Sequence, residues 1–412
     1  MKQIKINSAQ PRCIMNNFKY RSRNRRGTGS FNRRPKYSGR GFGNTSFNVF
    51  AYINRVSEAP KTELPTYVVK NKFSDFKLNP LIIKTVQSAG YINPTPIQDS
   101  IIPHIIEGRD VVGLANTGTG KTAAFLIPLI NSMVQNPKES VIILAPTREL
   151  VLQIEAEIRT LSKGLRIFSV SCVGGAPIYR QLRSLRMHNH FIVGTPGRTQ
   201  DLIRRRAINP SRINRIVLDE ADQMLDMGFI DSMKEIIKLL PPKHQTLFFA
   251  ATMSRAIEAL IHEFLVDPVT VSVKSQDAAI NVEQDVVRIG KRNKIDVLTE
   301  LLGKEEFSKV VVFGKTKRGV ESLSKTLVDR GVKAVSIHGD KSQGQRQQAL
   351  NKFKNSFADI LVATDVAARG IHVDDVTHVI NFDLPATQDD YIHRIGRTGR
   401  GTSQGKALTF II

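Results

Sequence analysis

Short apolar runs alternate with longer amphipathic segments along most of the chain. In the first half, runs rich in Val, Ile, Leu and Phe lie at residues 111–115, 141–145, 167–173, 191–194, 216–218 and 246–249. Runs that are apolar at every position are typical of strands buried on both faces, and several of the segments between them have helical periodicity. This rhythm predicts a parallel α/β sheet.

The alternation begins again after a polar stretch at residues 274–281. Its apolar runs lie at residues 310–313, 334–337, 360–362, 378–381 and 407–411. We therefore predict two similar α/β domains, at 71–273 and 282–412, joined by a linker at 274–281. The 412 residues and the hydrophobic content of 41% are sufficient for two such cores.

The segment before the first domain has a different composition. Residues 1–57 contain no Asp or Glu but many Lys and Arg, together with Gly and a few aromatic residues. Because the glycines disfavour a helix and the aromatics are too sparse for a core, we predict a disordered basic arm at residues 1–70. Such an arm can bind phosphates and stack on bases without sequence preference. A solubilising tail is the alternative, and the glycine content disfavours a mitochondrial presequence.

The overall charge and the cysteine content narrow the class of protein. A net charge of +23 and a pI near 10.1 favour a polyanionic partner, of which nucleic acid is the usual one. A solvated basic surface is the alternative on charge alone. Cys13 and Cys172 are too few for a disulfide framework or a cysteine-rich metal site, so a reducing cytoplasm is expected. No apolar run reaches the roughly 18 residues of a membrane span, and no secretory signal is evident.

A phosphate-binding loop is predicted at residues 115–122, where ANTGTGKT follows an apolar run and precedes a helical segment. Glycines allow backbone N–H groups to turn toward phosphate oxygens, and the helix N-terminus adds partial positive charge. We expect Lys121 to reach the β- and γ-phosphates and Thr122 to place its hydroxyl on Mg²⁺. Ala115 stands where the strict pattern has Gly, so the loop alone is only moderately specific. The other expected nucleotide contacts are Thr117, Gly118, Thr119 and Gly120.

Adjacent carboxylates follow the apolar run at residues 216–218. We expect Asp219 to hold Mg²⁺, directly or through water, and Glu220 to orient and deprotonate the attacking water. A helix N-cap with favourable first-turn charge is the alternative. The phosphate loop upstream favours the first interpretation, since the two motifs can form one site.

These motifs, with HRIGRTGR at residues 393–400, occur in an order that resembles the DEAD-box RNA helicases. The likeness runs from Phe73 to the C-terminus and is closest to a compact bacterial-type core. It implies two tandem RecA-like domains that flank a cleft for ATP and RNA. It also implies RNA-stimulated ATP hydrolysis with Mg²⁺, and local unwinding of short duplexes or remodelling of RNA–protein complexes.

In that family a segment corresponding to residues 73–101 senses adenine. The resemblance implies that Gln98 pairs with the base through its amide, which is the geometry that reads adenine in DNA, and that Phe73 stacks on it. Considered without the family, Gln98 would be an exposed helix residue and Phe73 a core residue.

The resemblance also assigns RNA contacts to both domains. The corresponding segments follow apparent strands, so they lie on loops at one sheet edge, where they can meet consecutive phosphates rather than bases. Taken singly, each could be an ordinary turn. The residues are Pro146, Thr147, Arg148, Gly175, Thr195, Pro196, Gly197, Arg198, Gln343, Arg346, Thr364 and Arg369.

The family pattern brings Arg397 and Arg400 across the cleft to the γ-phosphate, where arginine stabilises the charge of the transition state. A plain basic patch is the alternative. The residues implied to link hydrolysis to domain closure are Asp222, Ala250, Thr252 and His393.

Two positions depart from the family pattern. Ala250 replaces a serine, so one hydroxyl between hydrolysis and domain closure is missing. Our hypothesis is that hydrolysis persists but is less tightly coupled to strand separation. His372 stands where family members often have Asp, which puts a carboxylate contact to the ribose in doubt.

Two other functions remain open at this point. An ATP-gated RNA clamp or scaffold with weak unwinding is supported by Ala250. A DNA translocase with paired domains is disfavoured by the adenine-sensing segment and by the tetrad Asp219-Glu220-Ala221-Asp222. We expect a monomer that contacts single-stranded or short duplex RNA mainly through its backbone, with ribonucleoprotein partners.

Overall fold

The computed structural model describes residues 69–116, 118–273, 282–368, 373, 375–399 and 404–411. Several predictions concern residues outside these ranges. They are the basic arm apart from its last two residues, the linker at 274–281, Thr117, Arg369, His372 and Arg400.

In the described part of the chain, the first sheet contains seven parallel strands. They are β1 (Val111–Ala115), β2 (Val141–Leu144), β3 (Ser169–Cys172), β4 (Phe191–Gly194), β5 (Arg215–Leu218), β6 (Gln245–Ala250) and β7 (Val269–Val273). Their order is β3-β4-β2-β5-β6-β1-β7, and every pairing is parallel. Such an order needs crossover connections, which the helices between the strands supply.

Among the residues that the structure describes, the second sheet contains six parallel strands. They are β8 (Val282–Arg288), β9 (Val310–Phe313), β10 (Ala334–Ile337), β11 (Ile360–Ala363), β12 (His378–Asn381) and β13 (Gly405–Ile411). Their order is β10-β11-β9-β12-β13-β8. The predicted fold class, two tandem parallel α/β sheets, is confirmed.

The helices of the first domain are α1 (Pro80–Ser88), α2 (Pro96–Ile106), α3 (Lys121–Gln135), α4 (Arg148–Leu161), α5 (Ile178–Leu185), α6 (Pro196–Arg204), α7 (Ala221–Asp226), α8 (Ile230–Lys238) and α9 (Arg255–Phe264), with a 3₁₀ turn at Pro210–Arg212. The helices of the second are α10 (Lys294–Leu302), α11 (Lys317–Asp329), α12 (Gln343–Lys354), α13 (Asp365–Ala368) and α14 (Gln388–Ile395). No helix in the described part of the chain is long and apolar enough to cross a membrane.

The strands at the centre of the first sheet are buried on both faces. Ile142 and Ile143 are neighbours on β2, yet they belong to different hydrophobic clusters, one on each side of the sheet. Phe248 and Phe249 on β6 are divided in the same way. Successive side chains of a strand point to opposite faces, so helices on both faces require apolar residues at every position. This explains the unbroken apolar runs of the sequence.

Strands β7 and β8 were not predicted. Within the described ranges each lies at the edge of its sheet, where β7 pairs with β1 and β8 with β13. Their residues alternate between partly buried and exposed positions. Edge strands covered on fewer sides tolerate polar residues, so the criterion of an unbroken apolar run missed both.

Candidate nucleotide and nucleic-acid site

The phosphate loop connects β1 to α3 at the carboxyl edge of the first sheet. Gly118 and Gly120 have φ angles of 84° and 89°, the left-handed region that only glycine adopts at low cost. A Cβ on Gly120 would lie 2.5 Å from Nε2 of Gln98, so glycine is needed there for space as well. Gly120 is the N-cap of α3, whose first N–H groups lack helical partners and suit an anion.

Lys121 is buried at the first position of α3. Its Nζ donates a hydrogen bond to the carbonyl oxygen of Ala115, 2.7 Å away, and so spans the loop. Oγ1 of Thr119 donates to the carbonyl oxygen of Asn116 at 2.8 Å. These two bonds hold the loop between strand and helix.

A cavity of about 570 Å³ opens over this loop. Its volume is within the range of small-molecule sites. The residues that line it include Gly118, Gly120, Lys121 and Thr122 from the loop, Asp219 and Glu220 from the end of β5, Tyr91, seven residues of α4, and Lys354 of the second domain. Both domains therefore contribute to its wall.

Gln98 ties α2 to the phosphate loop. Its side chain is fully buried; Oε1 accepts from the backbone N–H of Thr95 at 3.0 Å, and Nε2 donates to the carbonyl oxygen of Gly120 at 3.1 Å. The bond to Thr95 belongs to a capping box at the start of α2. Gln98 is thus not the exposed helix residue that the sequence alone would suggest.

Phe73 lies in the hydrophobic core of the first domain. It is 3% exposed, and its ring makes edge contacts with Phe76 and Tyr91 at centroid distances of 6.1 Å and 6.4 Å. In this structure it has the position of a core residue, which was the alternative interpretation. Stacking on adenine would require the ring to be uncovered.

Asp219 and Glu220 lie at the carboxyl end of β5, opposite the loop. Burial raises the pKa of Asp219 to about 6 and that of Glu220 to about 7. The nearby carboxylates of Asp219 and Asp222 raise the pKa of Glu220 further. Lys121 opposes the shift at both, and Arg397 of the second domain opposes it at Glu220. Oδ1 of Asp219 and Oε2 of Glu220 are buried and accept no hydrogen bond from the described residues. Both oxygens are therefore available to a ligand.

Asp222 connects this carboxylate pair to the end of β6. Its Oδ2 accepts from the backbone N–H groups of Ala251 and Thr252, each at 2.9 Å, and from Oγ1 of Thr252 at 3.2 Å. Ala250, the residue before them, is fully buried and supplies no polar side-chain atom. The predicted coupling residues of the first domain thus lie together.

Of the two arginines predicted to reach the γ-phosphate, Arg397 is among the described residues. It is 5% exposed, and its Nε donates to the carbonyl oxygen of His393 at 3.2 Å. Its electrostatic effect on the pKa of Glu220 shows that it lies near the carboxylates of the other domain.

The predicted RNA contacts of the first domain gather around one arginine. Thr147 is the N-cap of α4, and the guanidinium of Arg148 packs on Gly175 so closely that a Cβ there would lie 2.2 Å from Nη1. Arg198 Nη1 donates to the carbonyl oxygen of Ala176 at 3.4 Å. The remaining predicted residues, Pro146, Thr195, Pro196 and Gly197, lie at the starts of α4 and α6.

An ion pair joins these loops to the second domain. Nη2 of Arg346 on α12 lies 2.8 Å from Oε2 of Glu149 on α4, and the side chains are 12% and 1% exposed. Gln343, one turn earlier, has both amide atoms buried without a partner among the described residues. Thr364 is also buried and follows β11. These polar groups suit a ligand at the same edge.

Sequence reasoning missed Arg394. It is 2% exposed, binds both carboxylate oxygens of Asp365, and donates to Oδ1 of Asn381 at 3.1 Å. Its guanidinium lies 5.0 Å from the ring centroid of Phe313. Arg394 thus connects the segment of Thr364 to α14, the helix that ends just before Arg397. The sequence signal was present, because Arg394 is the first arginine of HRIGRTGR, but its partners could not be identified from the sequence.

Comparison with known proteins agrees with this arrangement. The sequence model described as DEAD/DEAH box helicase matches residues 95–260, and that described as helicase conserved C-terminal domain matches residues 293–402. The chain is 46% identical over 342 residues to the ATP-dependent RNA helicase CshA of Limosilactobacillus reuteri, a match that covers 82% of this chain and 69% of the relative. The chain belongs to the DEAD-box family of RNA helicases. That family hydrolyses ATP, so the predicted recognition and enzyme class are confirmed.

The chain is also similar to a second relative and to two solved structures. It is 44% identical to CshA of Bacillus cereus, again over 82% of this chain but 65% of the relative. Dbp5 of S. cerevisiae bound to RNA and ADP BeF3 has a TM-score of 0.75 and 30% identity, covering 83% of this chain and 90% of that one. Mss116 bound to ssRNA and UDP-BeF has a TM-score of 0.76 and 28% identity, covering 84% and 76%.

Proposed function

We propose that this chain is an RNA-stimulated ATPase that locally separates short RNA duplexes or remodels RNA–protein complexes. The observation that carries the proposal is that charged groups of the two domains face each other at one cleft. Arg397 of the second domain acts on Glu220 of the first, and Arg346 pairs with Glu149. One pair lies at the predicted ATP side and the other at the predicted RNA side, so closure can join the two ligands.

The residues present fit a nucleotide with Mg²⁺. Asp219 has a buried oxygen without a partner among the described residues, and Thr122 lines the same cavity. Mg²⁺ favours one or two protein oxygens together with substrate phosphates over a closed cage of protein ligands. We propose that Asp219 and Thr122 hold it, where it would neutralise charge on the β- and γ-phosphates.

The remaining catalytic roles are proposed for Glu220, Lys121, Arg397 and Arg400. Glu220, whose pKa burial raises to about 7, orients the attacking water and accepts its proton at the free Oε2. Lys121 exchanges its bond to Ala115 for the phosphates, and Arg397 stabilises the charge that spreads over the transferring group. Arg400 is proposed to assist. Closure of the cleft excludes bulk water from the site and strengthens these interactions.

RNA is proposed to lie across both domains. Arg148, Gly175 and Arg198 contact its backbone on the first domain, and Gln343 and Arg346 on the second. Closure around ATP then holds one strand in a shape that its partner cannot follow, and loss of phosphate reopens the cleft. We propose a monomer, with ribonucleoprotein partners, in the reducing cytoplasm that the low cysteine content favours.

The test is ATP hydrolysis with and without single-stranded RNA, beside separation of a short RNA duplex. We expect RNA to stimulate the parent, and Glu220→Gln to lose hydrolysis by about 100-fold or more while it still binds ATP and RNA. Glu305→Gln, an exposed carboxylate of the second domain, is the control and should behave as the parent. Equal hydrolysis with and without RNA would refute the proposal.

An ATP-gated RNA clamp is the second candidate, because Ala250 lacks the hydroxyl at the coupling position. The same experiment distinguishes it. A clamp would retain RNA tightly in the presence of ATP, hydrolyse slowly and separate no duplex.

A further inference from the structure

The helix α5 carries a basic surface that none of the motifs above explains. Between Glu157 and Asp201 the chain contains no acidic residue. Within this segment, α5 and its C-cap carry Arg180, Arg183 and Arg186, all of them exposed. A basic surface of this kind without carboxylates nearby in sequence attracts polyanions.

The helical period places these arginines on one face. Residues three or four apart lie on the same side of a helix, so Arg180, Arg183 and Arg186 form a row, with Tyr179 beside them. The opposite face is anchored, since Gln181 is buried and its Nε2 donates to the carbonyl oxygen of Val173 at 3.0 Å. Leu182 and Leu185 pack on the core of the first domain. The basic row is therefore held at the surface by a fixed helix.

The side chains of the row are not used in internal ion pairs. Among the described residues, Arg180, Arg183 and Arg186 have no carboxylate within salt-bridge distance. Tyr179 is 63% exposed, and the guanidinium of Arg180 lies 5.8 Å from its ring centroid. An exposed aromatic ring beside guanidinium groups combines base stacking with phosphate contacts.

The row adjoins the predicted RNA edge of the first domain, which is the set of loops that carry Arg148, Gly175 and Arg198. Gly175, which the guanidinium of Arg148 touches, lies three residues before α5 begins. Arg198 donates to the carbonyl oxygen of Ala176, also in this connection. A strand that contacts Arg148 and Arg198 can therefore pass directly onto α5. The eight residues of α5 span about 12 Å, which is enough for two or three nucleotides.

We propose that α5 binds the single-stranded RNA that leaves the cleft past Gly175, with Arg180, Arg183 and Arg186 on its phosphates and Tyr179 stacked on a base. This site rests on the proposed RNA-binding function and extends its footprint beyond the motif residues. An acidic protein segment is the competing occupant. RNA fits better because the exposed ring of Tyr179 offers a stacking surface for a base and because the row adjoins the loops of Arg148 and Arg198.

The test compares a triple variant, Arg180→Gln with Arg183→Gln and Arg186→Gln, with the full-length parent. The control removes three exposed positive charges by Arg109→Gln, Arg212→Gln and Lys243→Gln, which precede β1, β5 and β6 at the opposite sheet edge. The probes are oligouridine strands of about 8 and about 20 nucleotides, a short and a long site for one binding module. RNA affinity is measured in the presence of a non-hydrolysable ATP analogue over a salt series, with thermal melting as a folding check.

We expect the triple variant to bind the long strand about tenfold more weakly, with its salt slope reduced by about 2, since each lost phosphate contact on a single strand lowers it by about 0.7. Binding of the short strand and ATP hydrolysis without RNA should match the parent. Tyr179→Leu should weaken long-strand binding by about fivefold with an unchanged salt slope. The control should retain the length dependence of the parent.

Three outcomes would overturn the proposal for α5. They are equal losses in the triple variant and the control, equal losses on short and long strands, and unchanged RNA binding with lost binding to polyglutamate, which would identify an acidic protein as the partner. A parent that binds neither strand and shows no RNA-stimulated hydrolysis would instead refute the proposed function itself.

Discussion

At the scale of single residues, close approach is as important as charge on the RNA edge. Gly175 has a φ of 76°, and its Cα stands directly beneath the guanidinium of Arg148. Burial and the positive charges of Arg346 and Arg198 lower the pKa of Arg148, which shows that several guanidinium groups are held near one another. Such an arrangement favours an anion between them, because a phosphate would relieve their mutual repulsion.

Gly175→Ala should therefore weaken RNA binding. The new Cβ would lie 2.2 Å from Nη1 of Arg148 and must displace it, and the left-handed backbone adds about 1 kcal/mol of strain. We expect the RNA concentration for half-maximal ATPase stimulation to rise about tenfold, with hydrolysis in the absence of RNA unchanged. Gly164→Ala is the matched control, since its φ is 83° and a Cβ there meets nothing within 4 Å. If both variants behave alike, backbone strain and not Arg148 is responsible.

At the scale of elements, the end of β6 and the start of α7 form the connection between hydrolysis and closure. Asp222 on α7 binds the chain that leaves β6 through three hydrogen bonds on one oxygen. Ala250 is the last residue of β6 and has no polar side-chain atom. It pairs with Leu114, which lies next to the phosphate loop. The connection is therefore made by backbone groups and Thr252 alone.

Ala250→Ser should increase the number of duplexes separated per ATP hydrolysed, by about twofold or more, with the hydrolysis rate nearly unchanged. The added hydroxyl can extend the hydrogen bonds around Asp222. The two rates are measured in parallel with the same RNA. Ala145→Ser places the same hydroxyl on a fully buried residue after β2 and should leave the ratio as in the parent. No gain in the ratio would count against a coupling role for position 250.

At the scale of the whole molecule, the two domains share a buried ion pair. Glu149 and Arg346 are 1% and 12% exposed, unlike the surface pair of Arg330 with Asp296 within the second domain. Removing one partner of a buried pair costs about 3–5 kcal/mol, whereas an exposed pair contributes about 0–1 kcal/mol. The pair joins two domains with separate cores. Removing one partner should therefore destabilise the closed arrangement of the domains and leave the free energy of unfolding of each domain nearly unchanged.

Glu149→Gln should lower RNA-stimulated ATP hydrolysis by about tenfold or more at saturating RNA while the melting temperature stays within about 2 °C of the parent. A double-mutant cycle with Arg346→Gln should give a coupling energy of at least about 1 kcal/mol, which separates the pair from any direct RNA contact of Arg346. Asp296→Asn is the control and should change neither quantity. A large fall in melting temperature would show that the pair stabilises the fold instead.

Much of this molecule follows from local pattern. Unbroken apolar runs identified the central strands of both sheets, because helices cover both faces there. The phosphate loop and the carboxylates after β5 were placed at one sheet edge, because parallel strands all end on the same side. The strands were identified from the spacing of apolar residues, the loop from its glycines, and the carboxylates from their charge. All three are properties of a short segment of sequence.

The rest depended on residues far apart in the chain. The partners of Gln98, Arg394 and Glu149 lie 22, 29 and 197 positions away, so no local pattern specifies them. The sequence by itself determined the two α/β domains, the nucleotide chemistry and the family. Only the tertiary structure decided that Phe73 lies in the core, that Gln98 is bound to the phosphate loop, and that Arg346 pairs across the cleft. The physical reason is that contacts between distant segments are set by how the sheets and helices pack, which the sequence of any one segment does not contain.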